Sequence, residues 1–326
     1  MRAWSFALAA AVALPIAAQA EDAALKAVAA RVEIHAIPSL TISDQQFLTG
    51  DTDGKQVTVT GELRIAQGAG RLPVVVLIHG SGGMGPNIEY WAREFNAMGI
   101  STFALDGFTG RGLTSVNTDQ ALLGRLNFIL DAYRSLDVLA KHPRVDASHI
   151  ALMGFSRGGQ ATLFASLKRF HHMWNKSGAE FAAYVPFYPD CMTTYIGDTE
   201  VADKPIRIFH GTPDDYNPVV PCKGLVERLR GAGHDIVLTE YPNAWHAFDN
   251  PLGSVAPVAV KNAQTVRNCR IAEEPNGVLV NTATKQPFGY TDACVERDPH
   301  VNHDAEATRA ATAAVKDALK AAFKME

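Results

Sequence analysis

After its first twenty positions the sequence has no run of about 18 apolar residues, so no membrane-spanning helix is expected in the rest of the chain. It has no basic excess either, since 30 Lys and Arg residues stand against 34 Asp and Glu residues. Nucleic acid is therefore not expected as a partner. Internal repeats and low-complexity linkers are also missing. These absences favour a soluble globular protein, and the length suits one large domain.

The N-terminus has the three parts of an export signal. Arg2 supplies positive charge, an apolar run extends over residues 6–18, and the small residues Ala18 and Ala20 flank Gln19 as in a cleavage site. We therefore predict a signal peptide over residues 1–20, with cleavage near Ala20 and a periplasmic or secreted mature chain. A buried first helix is the alternative interpretation.

Cysteine is scarce, and all four cysteines lie after the predicted signal peptide. An even number suits disulfide bonds in an oxidising compartment. Of the three possible pairings we favour Cys191–Cys222, which would follow neighbouring strands, and Cys269–Cys294, which would close one loop. Reduced, buried cysteines are the alternative.

Strands and helices are predicted to alternate along the chain. Residues 55–65 alternate apolar and polar side chains, which is typical of a half-solvated antiparallel strand. Further strands are predicted at 72–78, 100–105, 150–153, 181–187, 206–209 and 236–241, and helices at 87–98, 119–141, after Gly158, at 219–231 and at 304–323. This alternation predicts the α/β class, with a mostly parallel central sheet covered by helices on both faces.

One stretch, residues 249–301, interrupts the alternation and is called the excursion below. It has weak periodicity, several Pro, Gly and Asn residues, and two of the cysteines. Loops of this length are usually functional or disordered, and the cysteines argue for order. We expect a stapled segment near the functional site within one domain over residues 21–326, with a surface ornament as the alternative.

A candidate nucleophile lies in the sequence GFSRG at residues 154–158, which fits the pattern G-x-S-x-G. The motif lies between a predicted strand and a predicted helix, where the nucleophile of an α/β hydrolase is found. The turn is so tight that its flanking positions accept only small residues. This context predicts Ser156 as a catalytic nucleophile.

A serine nucleophile needs a base to take its proton and an acid to orient that base. Asp214 and His246 each follow a predicted strand, at the edge where α/β folds assemble their sites, and their order after Ser156 is that of α/β hydrolases. We predict His246 as the base and Asp214 as the acid, with the adjacent Asp215 as the alternative acid.

Acyl transfer also needs hydrogen-bond donors for the oxyanion that develops during the reaction. The backbone N–H of Arg157, directly after the nucleophile, is expected to supply the first. The second is expected from the HGSGG sequence at residues 79–83, most simply from Ser81, with Gly82 as the alternative.

These motifs resemble those of the dienelactone hydrolase family of α/β hydrolases, in which HGSGG, GFSRGG, HGTPDD and AWHAF recur at matching places in exported members. The resemblance extends from about residue 55 onward, except for the excursion. It implies cofactor-free and metal-free hydrolysis of a small ester, lactone or related acyl compound. The namesake enzymes have a cysteine where this chain has Ser156, so the resemblance implies a general carboxylic-ester hydrolase rather than the namesake substrate.

Two other classes of protein fit parts of the sequence. Residues 80–85 also fit G-x-G-x-x-G, and Asp106 ends the next strand, as in a nucleotide-binding oxidoreductase. Pro86 argues against the oxidoreductase interpretation, because it suggests that the helix begins only after the glycines. The hydrolase interpretation explains Asp106 as a turn residue. The second class is a non-catalytic binding protein on a hydrolase scaffold. A metal site at His300, His303 and Asp304 is a weaker hypothesis than helix capping by Asp304 or Asn302.

The length of one connecting segment bears on the shape of the pocket. The segment between Tyr188 and Lys204 is too short for a lipase-like lid, so we expect an open, wet pocket unless the excursion covers it. Arg111, Tyr188 and Trp245 are candidates for its lining, although packing roles suit them equally well. The sequence does not indicate an oligomeric state.

Overall fold

A computed structural model describes residues 25–325, and the predicted signal peptide lies outside them. Its centre is an eight-stranded sheet with the order β1-β2-β4-β3-β5-β6-β8-β9. The strands are β1 (Arg31–Thr41), β2 (Lys55–Ile65), β3 (Leu72–Ile78), β4 (Ser101–Asp106), β5 (Val145–Phe155), β6 (Ala183–Phe187), β8 (Ile206–Gly211) and β9 (Ile236–Tyr241). β1 and β2 are antiparallel to their neighbours, and the other six strands run parallel to one another. The predicted, mostly parallel sheet is confirmed.

Helices cover both faces of this sheet. They are α1 (Asp44–Thr49), α2 (Pro86–Asn96), α3 (Asn127–Ala140), α4 (Arg157–Phe164), α5 (Lys168–Trp174), α6 (Val219–Gly231) and α7 (Ala305–Phe323). Alternate side chains of β3 enter opposite cores: Val74 and Val76 belong to the buried cluster that includes residues of α3 and α6, whereas Val75 and Leu77 belong to the one that includes residues of α2 and α7. A strand buried on both faces accounts for the continuous apolar sequence of β3.

Several predicted elements have the bounds read from the sequence, including β2, β3, β9 and α6. The helix predicted from residue 119 is wrong at its start. Asp119 caps a short 3-10 turn over Gln120–Leu122, and α3 begins only at Asn127. β1, α1 and α5 were not predicted. β1 lies at the edge of the sheet, where it tolerates Pro38 and leaves side chains such as Ile34 exposed, so its pattern is not that of a buried strand.

The excursion is ordered and built from short strands. They are β10 (Val258–Ala259), β11 (Gln264–Thr265), β12 (Ile271–Glu273), β13 (Leu279–Asn281), β14 (Gln286–Pro287), β15 (Glu296–Arg297) and β16 (His300–Val301). β12 pairs in parallel with β7 (Thr193–Thr194), which ties the excursion to the segment after β6. Both favoured disulfides, Cys191–Cys222 and Cys269–Cys294, are present. None of the helices within residues 25–325 combines the length and apolar character needed to cross a membrane.

Candidate active site

Ser156 lies in the tight turn between β5 and α4. Its backbone has a φ of 56° and a ψ of −114°, a sparsely populated conformation. A Cβ atom on Gly154 would lie 2.2 Å from the carbonyl oxygen of Gly158, and one on Gly158 would lie 2.2 Å from that of Ile78. Both flanking positions therefore require glycine, which is the physical basis of the GFSRG pattern.

Three side chains from separate loops form one hydrogen-bonded relay. The hydroxyl oxygen of Ser156 lies 2.8 Å from Nε2 of His246, and Nδ1 of His246 lies 2.8 Å from Oδ2 of Asp214. The other carboxylate oxygen of Asp214 accepts hydrogen bonds from the backbone N–H groups of Tyr216 and Asn217, at 2.8 and 2.9 Å. The held carboxylate favours the imidazole tautomer with its proton on Nδ1, so Nε2 can accept the serine proton.

Asp215, the alternative acid, faces away from this relay. Its Oδ2 atom lies 2.8 Å from Nδ1 of His300 and 3.1 Å from Nη1 of Arg267. Its Oδ1 atom accepts a hydrogen bond from the backbone N–H of His300 at 2.7 Å. The Asp215 carboxylate therefore holds two residues of the excursion rather than the imidazole of His246.

Two tyrosine rings flank the imidazole of His246. The ring centroids of Tyr188 and Tyr216 lie 4.6 and 4.5 Å from that of His246. Tyr188 is held in turn by Asp249, because its hydroxyl donates a 2.6 Å hydrogen bond to that carboxylate, which also accepts one from Nε1 of Trp91 at 2.7 Å. Burial raises the pKa of Asp249. The packing leaves the imidazole little room to turn away from the serine.

The two predicted oxyanion donors lie beside the nucleophile. Arg157 directly follows Ser156, and Ser81 lines the same cavity as the nucleophile. The loop that carries Gly80 and Ser81 packs closely against the nucleophile, since a Cβ atom on Gly80 would lie 3.2 Å from Cβ of Ser156. Within residues 25–325, neither the Ser81 N–H nor the Arg157 N–H has a hydrogen-bond acceptor. Both groups are therefore available to a ligand at this point.

A cavity of about 30 Å³ adjoins Ser156 and is lined mostly by residues with polar side chains. The guanidinium of Arg157 forms part of this wall and donates a 2.7 Å hydrogen bond to Oε1 of Gln120. Burial lowers the pKa of Arg157, although its charge is retained at any physiological pH. Arg125 is a second buried guanidinium in the wall and pairs with Asp190 at 3.2 Å.

The excursion contributes part of the wall of this cavity, which is the condition under which an open pocket was not expected. Gln264, Thr265, Val266 and Tyr290, all from the excursion, line the cavity together with Ser156. The excursion is therefore part of the site.

None of the three suggested lining residues contributes to this cavity. Arg111 is buried against Asp131 at 2.6 Å. Tyr188 packs on His246, as described above. Trp245 faces a separate groove with Pro213 and Val255. The three side chains therefore have packing and structural roles.

The features that suggested other classes of protein have structural explanations. Oδ1 of Asp106 accepts hydrogen bonds from the backbone N–H groups of Phe108 and Thr109, at 2.8 and 3.0 Å, as a turn residue does. α2 begins at Pro86, after the glycines. Asp304 caps α7 by accepting a hydrogen bond from the N–H of Ala307.

Several residues of the site carried no recognisable signal in the sequence. Gln120 and Arg125 lie in a segment predicted to be helical, yet both reach the cavity from an irregular connection before α3. Gln264 and Tyr290 belong to the excursion, which lacks a periodic pattern. Tyr188 has a φ of 35°, a rare value that the sequence does not reveal.

The mostly parallel sheet and the elbow that carries Ser156 define an α/β hydrolase. The model of the dienelactone hydrolase family matches residues 59–272. This match covers more than half of the chain, and the chain belongs to the dienelactone hydrolase family. Membership makes it a hydrolase of ester-type bonds that acts on a small molecule.

Solved structures with a similar fold have low sequence identity to this chain. A dienelactone hydrolase-like promiscuous phosphotriesterase from metagenomic libraries is 17% identical, with a TM-score of 0.56 over 89% of this chain and 98% of that chain. Esterase 2 of Thermogutta terrifontis is 18% identical, with a TM-score of 0.48 over 60% of this chain and 82% of that chain. No curated protein matches the sequence. These likenesses concern the fold alone.

Proposed function

We propose that the protein is a serine-dependent hydrolase of carboxylic esters, with Ser156 as nucleophile, His246 as general base and Asp214 as the orienting acid. The observation that carries this proposal is the pair of 2.8 Å contacts joining the three side chains at the elbow after β5. A hydroxyl, an imidazole and a held carboxylate in this order are what nucleophilic acyl transfer requires.

In the proposed reaction, Oγ of Ser156 attacks the ester carbonyl carbon while its proton passes to Nε2 of His246. The bond to the leaving alcohol then breaks, and His246 returns the proton to the alcohol oxygen. A water molecule attacks the resulting acyl-enzyme and gives its proton to His246. The carboxylic acid leaves as Ser156 recovers a proton.

The backbone N–H groups of Ser81 and Arg157 are proposed to stabilise the oxyanion in both steps. Loss of one such donor typically slows turnover by about 10²–10³-fold. Arg157 begins α4, and the positive end of a helix dipole at this position favours negative charge on the substrate oxygen.

Hydrolysis of 4-nitrophenyl acetate by Ser156→Ala and Ser166→Ala tests the proposed nucleophile. Ser156→Ala should lose at least about 10⁴-fold in kcat. Ser166→Ala is the matched control, because this buried hydroxyl only donates to the carbonyl of Leu163, and it should keep wild-type activity. A folded Ser156→Ala variant with near wild-type turnover would refute the proposal.

We also propose that the protein works outside the cytoplasm. The two disulfides suit an oxidising compartment, and residues 1–20 have the composition of a signal peptide. N-terminal sequencing of the native protein should find a start at Glu21 in the periplasmic or culture fraction. An intact chain that begins at Met1 in the cytoplasmic fraction would contradict export.

A further inference from the structure

The excursion supplies one wall of the cavity beside Ser156. β11 contributes Gln264 and Thr265, and the following residue, Val266, is 5% exposed. Tyr290 also lines the cavity and is half-buried, so its side chain borders both the cavity and solvent. The space available to a substrate is therefore set in part by a segment that lies mostly outside the strand-and-helix framework of the fold.

This wall is fixed in place by contacts at several points. The hydroxyl of Thr265 donates a 2.6 Å hydrogen bond to the carbonyl of Tyr216, and Oε1 of Gln264 accepts one from the N–H of Gln120 at 2.8 Å. The Cys269–Cys294 disulfide closes a loop that contains Tyr290 and begins shortly after Val266. The wall is therefore held against the catalytic loops rather than resting loosely on them.

Tyr290 is also tied to the floor of the cavity. Its hydroxyl accepts a 2.7 Å hydrogen bond from Nη2 of Arg125, and the Arg125 guanidinium lies 5.6 Å from the centre of its ring. Phe288 contacts the same guanidinium at 5.6 Å, but it does not line the cavity. Of these two aromatic residues of the excursion, Tyr290 lines the cavity and Phe288 does not.

The cavity adjoins the acyl side of the proposed reaction. Ser156, Ser81 and Arg157 all line it, whereas His246, which protonates the leaving alcohol, does not. Its volume of about 30 Å³ accommodates about two water molecules, since one water needs roughly 10–15 Å³ on the same measure. An acetyl methyl group fits such a space, and an alkyl chain does not.

We propose that Tyr290 is a specificity-determining residue whose ring restricts the substrate to esters of short acyl groups. This inference rests on the proposed function, and it adds the substrate class. Longer acyl groups meet the Tyr290 ring and the Val266 side chain before the ester carbon reaches Oγ of Ser156. Removing the ring opens the cavity towards solvent and gives a longer chain an exit.

The test measures kcat/KM for 4-nitrophenyl acetate, butyrate and octanoate with the wild type, Tyr290→Ala, Val266→Ala and the control Phe288→Ala. The wild type should prefer acetate, because one unaccommodated methylene costs about 10–200-fold in such pockets. Tyr290→Ala should raise the octanoate-to-acetate ratio at least about tenfold. Val266→Ala should also raise the octanoate-to-acetate ratio, and it provides a second test of the inference if Tyr290→Ala does not fold. Phe288→Ala should leave the ratio within about twofold of wild type, because no cavity wall is lost.

Equal ratios in Tyr290→Ala and Phe288→Ala would overturn the inference, as would a wild type that hydrolyses octanoate as well as acetate. Acetate esters of alcohols with increasing chain length provide a second series. If Tyr290→Ala changes the preference among these alcohols but not the octanoate-to-acetate ratio, the inference is also overturned. Each of these results leaves the proposed function intact, provided that Ser156→Ala is inactive. Absence of hydrolysis from the wild type with every ester would instead count against the proposed function.

Discussion

Nδ1 of His246 lies 2.8 Å from the Asp214 carboxylate, whereas the neighbouring Asp215 carboxylate lies against Nδ1 of His300 at the same distance. Two adjacent carboxylates thus hold two different histidines. One histidine belongs to the relay on Ser156 and the other to the excursion. The pair offers a matched comparison in which the same chemical change is made at consecutive positions.

Asp214→Asn should lower kcat by about 10⁴-fold, because an amide no longer enforces the imidazole tautomer with its proton on Nδ1. Asp215→Asn should lower kcat far less, because its carboxylate does not contact His246. Steady-state kinetics with 4-nitrophenyl acetate and a thermal unfolding scan of both variants check this expectation. Equal losses of kcat in the two folded variants would contradict the assignment of the acid.

Gly158→Ala should impair both folding and activity, since its new Cβ atom would lie 2.2 Å from the carbonyl oxygen of Ile78. Overpacking of this kind typically costs about 1–3 kcal/mol, and displacement of the elbow also moves Ser156. Gly231→Ala is the control, because a Cβ atom there meets no heavy atom within 4 Å. The free energy of unfolding in urea and kcat should both fall for Gly158→Ala, and neither should fall for Gly231→Ala. A fully active, stable Gly158→Ala variant would contradict the close approach of the elbow to the carbonyl oxygen of Ile78.

Acid should destabilise the fold through two buried histidines, His79 and His210, whose pKa values are lowered by burial. Nδ1 of His79 donates to the carbonyl of Gly80 at 2.8 Å, and its Nε2 accepts from the N–H of Gly107 at 3.2 Å, so this ring is held neutral. The unfolded chain binds protons at these rings below about pH 6.5, whereas the folded chain binds them only at lower pH. The free energy of unfolding should therefore fall as the pH drops from 7.5 to 5.5.

The slope can be at most about 1.4 kcal/mol per pH unit for each of the two histidines. Urea titrations at several pH values provide the measurement. His210→Asn should reduce the slope, because the amide can replace the hydrogen bond from Nδ1 to the carbonyl of Gly211 without titrating. Substitution of the exposed His172 by Asn should leave the slope unchanged. Stability that is constant between pH 7.5 and 5.5 would contradict this account.

The framework of the fold was predictable because its signals are local. The buried run of β3 and the small residues around Ser156 each reflect a constraint that acts within a few residues, namely burial on both faces of a sheet and the space available in one turn. The favoured cysteine pairings are also confirmed. The edge strand β1 was missed because one of its faces is solvated and Pro38 interrupts its pattern.

The shape of the cavity could not be predicted, because its walls depend on long-range packing. Tyr290 meets Arg125 across a separation of 165 residues, and neither residue lies in a motif. The choice between Asp214 and Asp215 was also open in the sequence, since both follow the same strand. In the structure Asp214 contacts His246 and Asp215 contacts His300, and these contacts support the proposal that Asp214 is the acid.

The most direct test of the central claim is labelling of the full chain with a fluorophosphonate, followed by mass spectrometry of its tryptic peptides. The account predicts one adduct on Ser156, loss of ester hydrolysis in proportion to labelling, and strongly reduced labelling in His246→Ala. An adduct on another residue, or undiminished hydrolysis by a protein fully labelled at Ser156, would contradict it.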